Sequence, residues 1–141
     1  MRVIPLLMLL LTGCAIVGAP TSTPTPERDC GQEQVGPDGT GDVEGRTCLL
    51  DAFVAGEPAV FVSSTTTVEG DPIIRTYHVS GSGEMGIEHD ARRDRLGSGK
   101  IELLRCNGLV SVEEWSAAHP GEPYPAGWVF IEDGCEVIGT R

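Results

Sequence analysis

The sequence has few aromatic residues and few basic residues. Aromatic side chains make up 5% of the 141 residues, so a core would be built mainly from Leu, Val and Ile. Ten basic residues stand against 21 acidic residues, and the formal net charge is −11. Because so acidic a surface repels phosphate backbones, we expect no nucleic-acid partner.

Familiar catalytic and metal-binding motifs are also missing. The chain has no G-x-S-x-G nucleophile elbow and no H-E-x-x-H pair, and 97–100 (Gly-Ser-Gly-Lys) lacks the spacing of a phosphate-binding loop. We therefore predict no catalytic residue, no metal and no cofactor, and we do not expect an enzyme.

The apolar run near the amino end is too short to span a membrane. It extends from Val3 to Leu11 after a single positive charge, whereas roughly 30 Å of hydrocarbon needs about 20 apolar residues. This length is typical of the hydrophobic region of an export signal. The run ends in Leu11-Thr12-Gly13-Cys14.

This ending resembles the lipobox of bacterial lipoproteins. The resemblance implies cleavage before Cys14 and diacylglycerol on its sulfur, so the protein would be anchored by lipid to the cell membrane or the outer membrane, facing the extracytoplasmic side. The alternative is a plain secretory signal with an unrelated cysteine. We predict a signal peptide over residues 1–13, a lipidated Thr/Pro-rich tether over 14–29 and one domain over 30–141.

The domain has a pattern typical of an α+β fold. Residues 46–55 place apolar side chains on one helical face, and β-branched or alternating stretches follow at 59–68, 73–80, 84–89 and 100–106. A second short helix is predicted over 112–118, with Ser111 as its cap, and edge strands over 128–132 and 135–138. We expect one amino-terminal helix packed on an antiparallel meander of four to six strands.

Four cysteines remain for the domain once Cys14 is assigned to the lipid. They are Cys30, Cys48, Cys106 and Cys135. An even number in an exported small domain indicates disulfides, and four cysteines allow three connectivities. The residues alone leave these alternatives open.

A second resemblance rests on 69–73 (Glu-Gly-Asp-Pro-Ile), on Asp90, Asp94 and Gly97 at the spacing D-x-x-x-D-x-x-G, and on Cys106 and Cys135. This pattern is similar to a family of small bacterial lipoprotein domains of unknown function. The resemblance implies a disulfide between Cys106 and Cys135, which would leave Cys30 and Cys48 as the other pair. It implies no activity.

Candidate binding residues are the acids of these motifs: Glu69, Asp71, Asp90 and Asp94. They could equally form solvated, locally charge-paired turns. The alternative of a hydrolase or metal-dependent enzyme would use Asp71, His89, Asp90 and Asp94, although alternation on a strand separates His89 from Asp90. Three aromatics near prolines could form a binding surface or cover one end of the sheet: Trp115, Tyr124 and Trp128.

The function predicted from these features is a non-catalytic binding or accessory domain at the cell envelope. We expect a monomer whose partner is the membrane, through the lipid on Cys14, together with an unknown envelope protein or a small ligand. The acidic charge favours a neutral or cationic ligand. A structural or stress-protection lipoprotein without a dedicated ligand is a further alternative.

Overall fold

Regular structure begins with a strand that the sequence pattern does not predict. The structure is a computed structural model and describes residues 26–36, 38–124 and 127–141. The predicted signal peptide, Cys14 and most of the predicted tether lie outside the described residues. Strand β1 spans Arg28–Gln34 and therefore starts within the segment predicted as tether.

The other elements follow in an order close to the predicted one. They are α1 (Val43–Ala55), β2 (Ala59–Thr66), β3 (Pro72–Val79), β4 (Met85–Asp90), β5 (Ile101–Cys106), β6 (Gly108–Ser111), α2 (Val112–Ala118), β7 (Phe130–Asp133) and β8 (Glu136–Thr140). Within the described ranges no helix is long and apolar enough to cross a membrane.

The main sheet has six strands in the order β1-β2-β3-β4-β5-β8. Strands β2 to β5 pair antiparallel in sequence order, which confirms the predicted meander. Helix α1 packs on β1 and β2. The chain is thus a mostly β structure with two helices in its described part, and it agrees broadly with the predicted α+β class.

The amino-terminal part of the fold differs from the prediction because β1 precedes the helix and runs parallel to β2. Helix α1 is therefore the crossover of a β-α-β unit, since parallel neighbours cannot be joined by a short turn. The strand escaped detection because only Cys30 and Glu33 are buried in it, and an irregularity between Asp29 and Gln32 breaks the alternation.

Two further predictions need correction. Strand β7 does not border the main sheet but pairs with the unpredicted β6 in a separate two-stranded sheet. Helix α1 starts at Val43 rather than Arg46, because the Asp42 side chain accepts a hydrogen bond from the Glu44 amide and caps the helix. The cap of α2 is confirmed, since Ser111 and Glu114 form a reciprocal capping box.

The core lies between the main sheet and a layer formed by α1 and the β6–β7 sheet. Its largest fully buried side chains are Phe61, Phe130, Leu49, Met85 and Val79. Phe130 of β7 meets Tyr77 of β3 edge-on, with 5.9 Å between ring centroids. The inward face of β3 carries Ile73, Arg75, Tyr77 and Val79, as the alternation predicts.

One disulfide ties the helix of this second layer to the sheet, and the other joins the chain at the two ends of the segment that forms β6, α2 and β7. Cys30–Cys48 joins β1 to α1, and Cys106–Cys135 joins the end of β5 to the residue before β8. The pairing is the one that the second resemblance implies. The Cys106–Cys135 bond closes the excursion that holds β6, α2 and β7, so it fixes where β7 can lie on the sheet.

Candidate functional site

The acids of the predicted motifs lie in two loops at one end of the sheet. Asp71, in the turn between β2 and β3, accepts hydrogen bonds from the backbone N–H and from Nε of Arg95, at 3.0–3.1 Å. The Arg95 Nη2 group donates to the Glu69 carbonyl oxygen at 3.3 Å. These bonds from Arg95 lower the pKa of the Asp71 carboxyl. The first motif turn is thus docked on the loop between β4 and β5.

The other two acids are also bonded within that loop. Asp90 accepts a two-pronged contact from Arg92 at 2.8 and 3.0 Å, and this contact lowers the pKa of Asp90 to about 2. Asp94 accepts from the Leu96 amide. In the described ranges no group of three or more His, Cys, Asp or Glu side chains could hold a metal. A binding role for the four acids stays a prediction.

His89 lies on the opposite face of the sheet from its neighbour Asp90. Its strand partner on the inward face is Arg75, whose Nε donates to His89 Nδ1 at 3.3 Å. Partial burial and the charge of Arg75 both lower the pKa of His89. The residues of the hydrolase alternative are therefore not brought to one place, because His89 faces inward and the three acids do not join it.

A polar cluster that the sequence reasoning missed surrounds His89 and Arg75. Glu132 of β7 accepts two hydrogen bonds from Arg75 Nη1, at 2.8 and 2.9 Å. The hydroxyl of Tyr77 donates to the same carboxylate at 2.6 Å. Burial raises the pKa of Tyr77, and the charge of Glu132 raises it further. The hydroxyl is therefore a permanent donor to Glu132 at physiological pH.

A buried ion pair forms the adjoining wall. Arg46 of α1 donates through Nε and Nη2 to the carboxylate of Glu33 on β1, and the side chains are only 3% and 1% exposed. Glu33 Oε2 also accepts from the Asp42 amide at 2.7 Å. Both oxygens of Glu33 are thus in use, whereas Nη1 of Arg46 makes no hydrogen bond with the described residues.

Two aromatic rings cover the guanidinium of Arg46. Its Cζ lies 4.9 Å from the ring centre of Trp128 and 5.5 Å from that of Phe130. The Trp128 Nε1 atom is buried, and it has no hydrogen-bond partner among the described residues. Of the three aromatics singled out in the sequence, Trp128 thus covers one end of the sheet, while Trp115 stacks on His119.

A close approach of two backbones holds the ion pair and Trp128 together. A side chain at Gly41 would meet Arg46 Nε at 2.7 Å and Glu33 Oε2 at 2.9 Å. A side chain at Gly127 would lie 2.9 Å from the Gly41 carbonyl oxygen, and Gly127 has a φ of +79°. Glycine at both positions therefore lets the loop before α1 and the loop before β7 pack directly over the pair.

Arg46 and Trp128 line a cavity of about 250 Å³ that opens at the same end of the sheet as the two acidic loops. Val35 and Ile73 line it together with residues that carry polar groups: Arg46, Ser63, Thr65, Arg75, Tyr77, His89 and Trp128. Since a water molecule takes about 30 Å³ of liquid, the cavity has room for about eight waters or one small organic molecule. The cavity thus brings two guanidinium groups and one imidazole to a single space on the inward face of the sheet.

A larger and more open groove of about 480 Å³ lies at the other end of the sheet. His78 and Arg105 flank it, and Pro58 and Leu104 line it. His78 is half exposed, and it faces Glu27 at 3.6 Å. The groove holds no buried polar group among its lining residues, so the smaller cavity is the candidate site.

One signal in the sequence could have indicated this cavity. Arg75 and His89 fall on strand positions that alternation assigns to the inward face, where charged or titratable side chains need partners. Their partners Glu132 and Arg46 come from distant segments, and no local pattern links them. Comparison with known proteins adds no further guide, since no protein family, curated protein or solved structure matches the chain.

Proposed function

We propose that this protein is a lipid-anchored, non-catalytic binding domain of the bacterial cell envelope, and that its ligand is a small polar molecule held in the cavity beside Trp128. The observation that carries the proposal is a cavity of about 250 Å³ on the inward face of the sheet, where the side chains of Arg46, Arg75 and His89 meet beside Trp128.

The anchor is proposed on the lipobox resemblance at Cys14. An acylated cysteine followed by a Thr/Pro-rich segment would hold the domain close to a membrane, because each buried methylene of the acyl chains adds about 0.8 kcal/mol to membrane binding. Two disulfides in the domain support an oxidising, extracytoplasmic location.

A hydrolase built on Asp71, His89, Asp90 and Asp94 is supported less well. Such an enzyme needs the four side chains at one reacting centre. Asp71 and Asp90 are held by Arg95 and Arg92 in exposed loops, while His89 lies on the inward face beside Arg75. The geometry therefore favours binding.

The anchor is tested by intact mass spectrometry of the membrane fraction from cells that express the full chain. We expect diacylglycerol on Cys14 and the mass deficit of two disulfides in the native protein. A Cys14→Ser variant should lose both the lipid and the membrane association. Native protein that keeps residues 1–13 and carries no lipid would overturn the anchor.

Binding is tested through the two indole N–H signals of the protein, because Trp115 provides an internal control for Trp128. The ¹⁵N-labelled Cys14→Ser protein is titrated separately with acetate, acetamide, glycerol and N-acetylglucosamine. We expect at least one probe to shift the Trp128 signal in a saturable way and to leave Trp115 in place. If all four probes leave Trp128 unchanged, the proposed small-ligand site is wrong.

A further inference from the structure

Three inward-facing side chains form a polar row across the middle of the sheet. Ser63 of β2 pairs with Arg75 of β3, and Arg75 pairs with His89 of β4. Because neighbouring strands lie about 4.8 Å apart, these three residues are immediate neighbours on the sheet side of the cavity. Arg46 lines the same cavity from α1. The cavity therefore has an arginine on the sheet side and another on the helix side.

Each residue of the polar row has a donor that the described part of the chain does not use. Arg75 donates through Nε and Nη1, which leaves its Nη2 group. His89 Nδ1 accepts from Arg75, whose guanidinium can only donate, so the neutral imidazole carries its proton on Nε2. Neither this Nε2 atom nor the Ser63 hydroxyl makes a hydrogen bond with a described residue.

These three donors reach accessible space. Within the described ranges the buried side-chain polar atoms without a partner are Ser116 Oγ and Trp128 Nε1, and no donor of the polar row is among them. Ser63 is only 3% exposed, so the cavity that it lines is the space its hydroxyl reaches. The side chain of Arg75 is 38% exposed and lines the same space. A ligand in the cavity can therefore accept hydrogen bonds from the polar row.

The lining of the cavity provides donors and positive charge without a carboxylate. No Asp or Glu of the described chain lines it, since Glu33 and Glu132 bind Arg46 and Arg75 outside the lining. The acidity of the whole chain therefore does not extend into this space. A guanidinium cannot accept a hydrogen bond, so the ligand must supply the acceptors. Arginine suits the oxygens of phosphate and related anions, and hydrogen bonds to an ionised acceptor are roughly twice as strong as neutral ones.

We propose that the cavity binds a tetrahedral oxyanion, a phosphate or sulfate group, whose oxygens accept hydrogen bonds from Ser63, Arg75 and His89. This inference rests on the proposed function and specifies its ligand class. A tetrahedral group directs oxygens towards both the sheet and α1, whereas the two oxygens of a planar carboxylate lie on one side of their carbon. The anion is held by hydrogen bonds and charge, without any covalent step.

Binding should depend on pH through His89. Partial burial and the charge of Arg75 lower the pKa of His89 and outweigh three carboxylates that raise it: Glu102 of β5, Glu132 of β7 and the adjacent Asp90. The guanidinium of Arg46 belongs to the facing side of the same cavity. An oxyanion beside the ring favours the imidazolium, so the pKa of His89 should be higher in the complex. The affinity for the anion should therefore increase as the pH falls.

The first test compares ligands in the Cys14→Ser protein at constant ionic strength. Sulfate, inorganic phosphate, glycerol phosphate, acetate and acetamide are titrated separately, and binding is followed at the backbone amides of Ser63, Arg75 and His89. We expect sulfate and phosphate to bind about tenfold more tightly than acetate, and acetate to bind more tightly than acetamide. Tighter binding of glycerol phosphate than of inorganic phosphate would assign the site to a phosphorylated molecule, and the reverse order would assign it to the inorganic anion.

A pair of serine variants checks the hydroxyl of the polar row. Ser63→Ala removes one donor from the cavity and should weaken sulfate binding about tenfold. Ser64→Ala is the matched control, because the next residue of β2 faces the other side of the sheet. This control should leave sulfate binding unchanged. The comparison of anions needs no variant, so it decides the ligand class even where Ser63→Ala does not fold.

A pair of histidine variants checks the pH dependence. Sulfate keeps its charge between about pH 7.5 and about pH 5.5, so a change in its affinity over this range reports on the protein, and we expect a roughly tenfold increase as the pH falls. His89→Gln should abolish this increase. His78→Gln is the matched control and should retain it, because His78 is exposed on the outward face of β3.

The outcomes separate this inference from the proposed function. Acetamide, glycerol or N-acetylglucosamine binding as tightly as sulfate would overturn the oxyanion assignment and leave the small-ligand site in place. Sulfate binding that Ser63→Ala does not weaken, or that does not change with pH, would overturn the assignment of the polar row. No response to any of the probes would overturn both proposals.

Discussion

Replacing Glu33 with Gln would leave the Arg46 guanidinium buried without a full countercharge. The substitution preserves side-chain volume, so it creates no cavity. It replaces one carboxylate oxygen by an amide N–H₂ group, which is a donor and cannot accept a hydrogen bond from Arg46 or from the Asp42 amide. Because the two side chains are 1% and 3% exposed, solvent cannot replace the lost contact without opening the loop that covers it.

The expected loss of stability is near the lower end of the range for a broken buried pair, about 3–5 kcal/mol. The stacking of Arg46 on Trp128 and Phe130 remains in the variant and limits the damage. We therefore expect a loss of about 3 kcal/mol. For a domain of this size, that corresponds to a fall in melting temperature of roughly 12 °C.

Urea unfolding of the disulfide-intact Cys14→Ser protein, followed by circular dichroism, measures the loss. Glu57→Gln is the matched control, because Glu57 pairs with Arg28 in an ion pair whose side chains are both 47% exposed. The control should cost at most about 1 kcal/mol. Combining Glu33→Leu with Arg46→Met removes both charges, and this double variant should be more stable than Glu33→Gln.

The reasoning would be refuted by a loss for Glu33→Gln no larger than that for Glu57→Gln. Such a result would mean that Arg46 can turn its guanidinium into the cavity and recover its hydration there.

Three other predictions follow from the structure. Replacing Cys106 and Cys135 together with Ala should cost about 2–5 kcal/mol, and an unchanged melting temperature would contradict a structural role for the bond. Because the pKa of His89 is lowered in the folded protein, the unfolded chain binds the proton more readily, and stability should decline as the pH falls below 6.5. In the His89→Gln variant this decline of stability with pH should be smaller, and an unaltered slope would count against the assignment to His89. Because the Arg95 hydrogen bonds also lower the pKa of Asp71, the contact between the two residues should persist at neutral pH and weaken only at a pH below the ordinary range of an aspartate carboxyl. Asp71→Asn should speed amide exchange in the loop around Arg95 at neutral pH, and equal exchange in both proteins would show that the contact does not hold the loop.

Several features followed from the sequence because they depend on neighbouring residues. The alternation of β3 placed Arg75 and Tyr77 on one face, and the residues after Ser111 carried the capping box that starts α2. The turns at 67–71 and 91–99 follow from Gly and Asp, with Pro72 after the first of them, because the backbone preferences of these residues act over a few positions. Export and lipidation at Cys14 stay predictions, because they rest on residues outside the described part of the chain.

Other features were decided only by the tertiary structure. Strand β1 has too few apolar residues to be predicted, and it forms because β2 supplies backbone partners and Cys48 supplies a covalent one. The disulfide pairing was open on the residues alone, since connectivity depends on which segments meet.

The ion pairs around the cavity also join residues that lie far apart in the sequence. They join Glu33 to Arg46 and Arg75 to Glu132, and Trp128 is brought over Arg46 by the loop before β7. A single strand shows that a charged residue faces inward, but it does not show which distant residue neutralises the charge. Burial makes that partner necessary, and only the packing of α1 and β7 on the sheet determines which residue provides it.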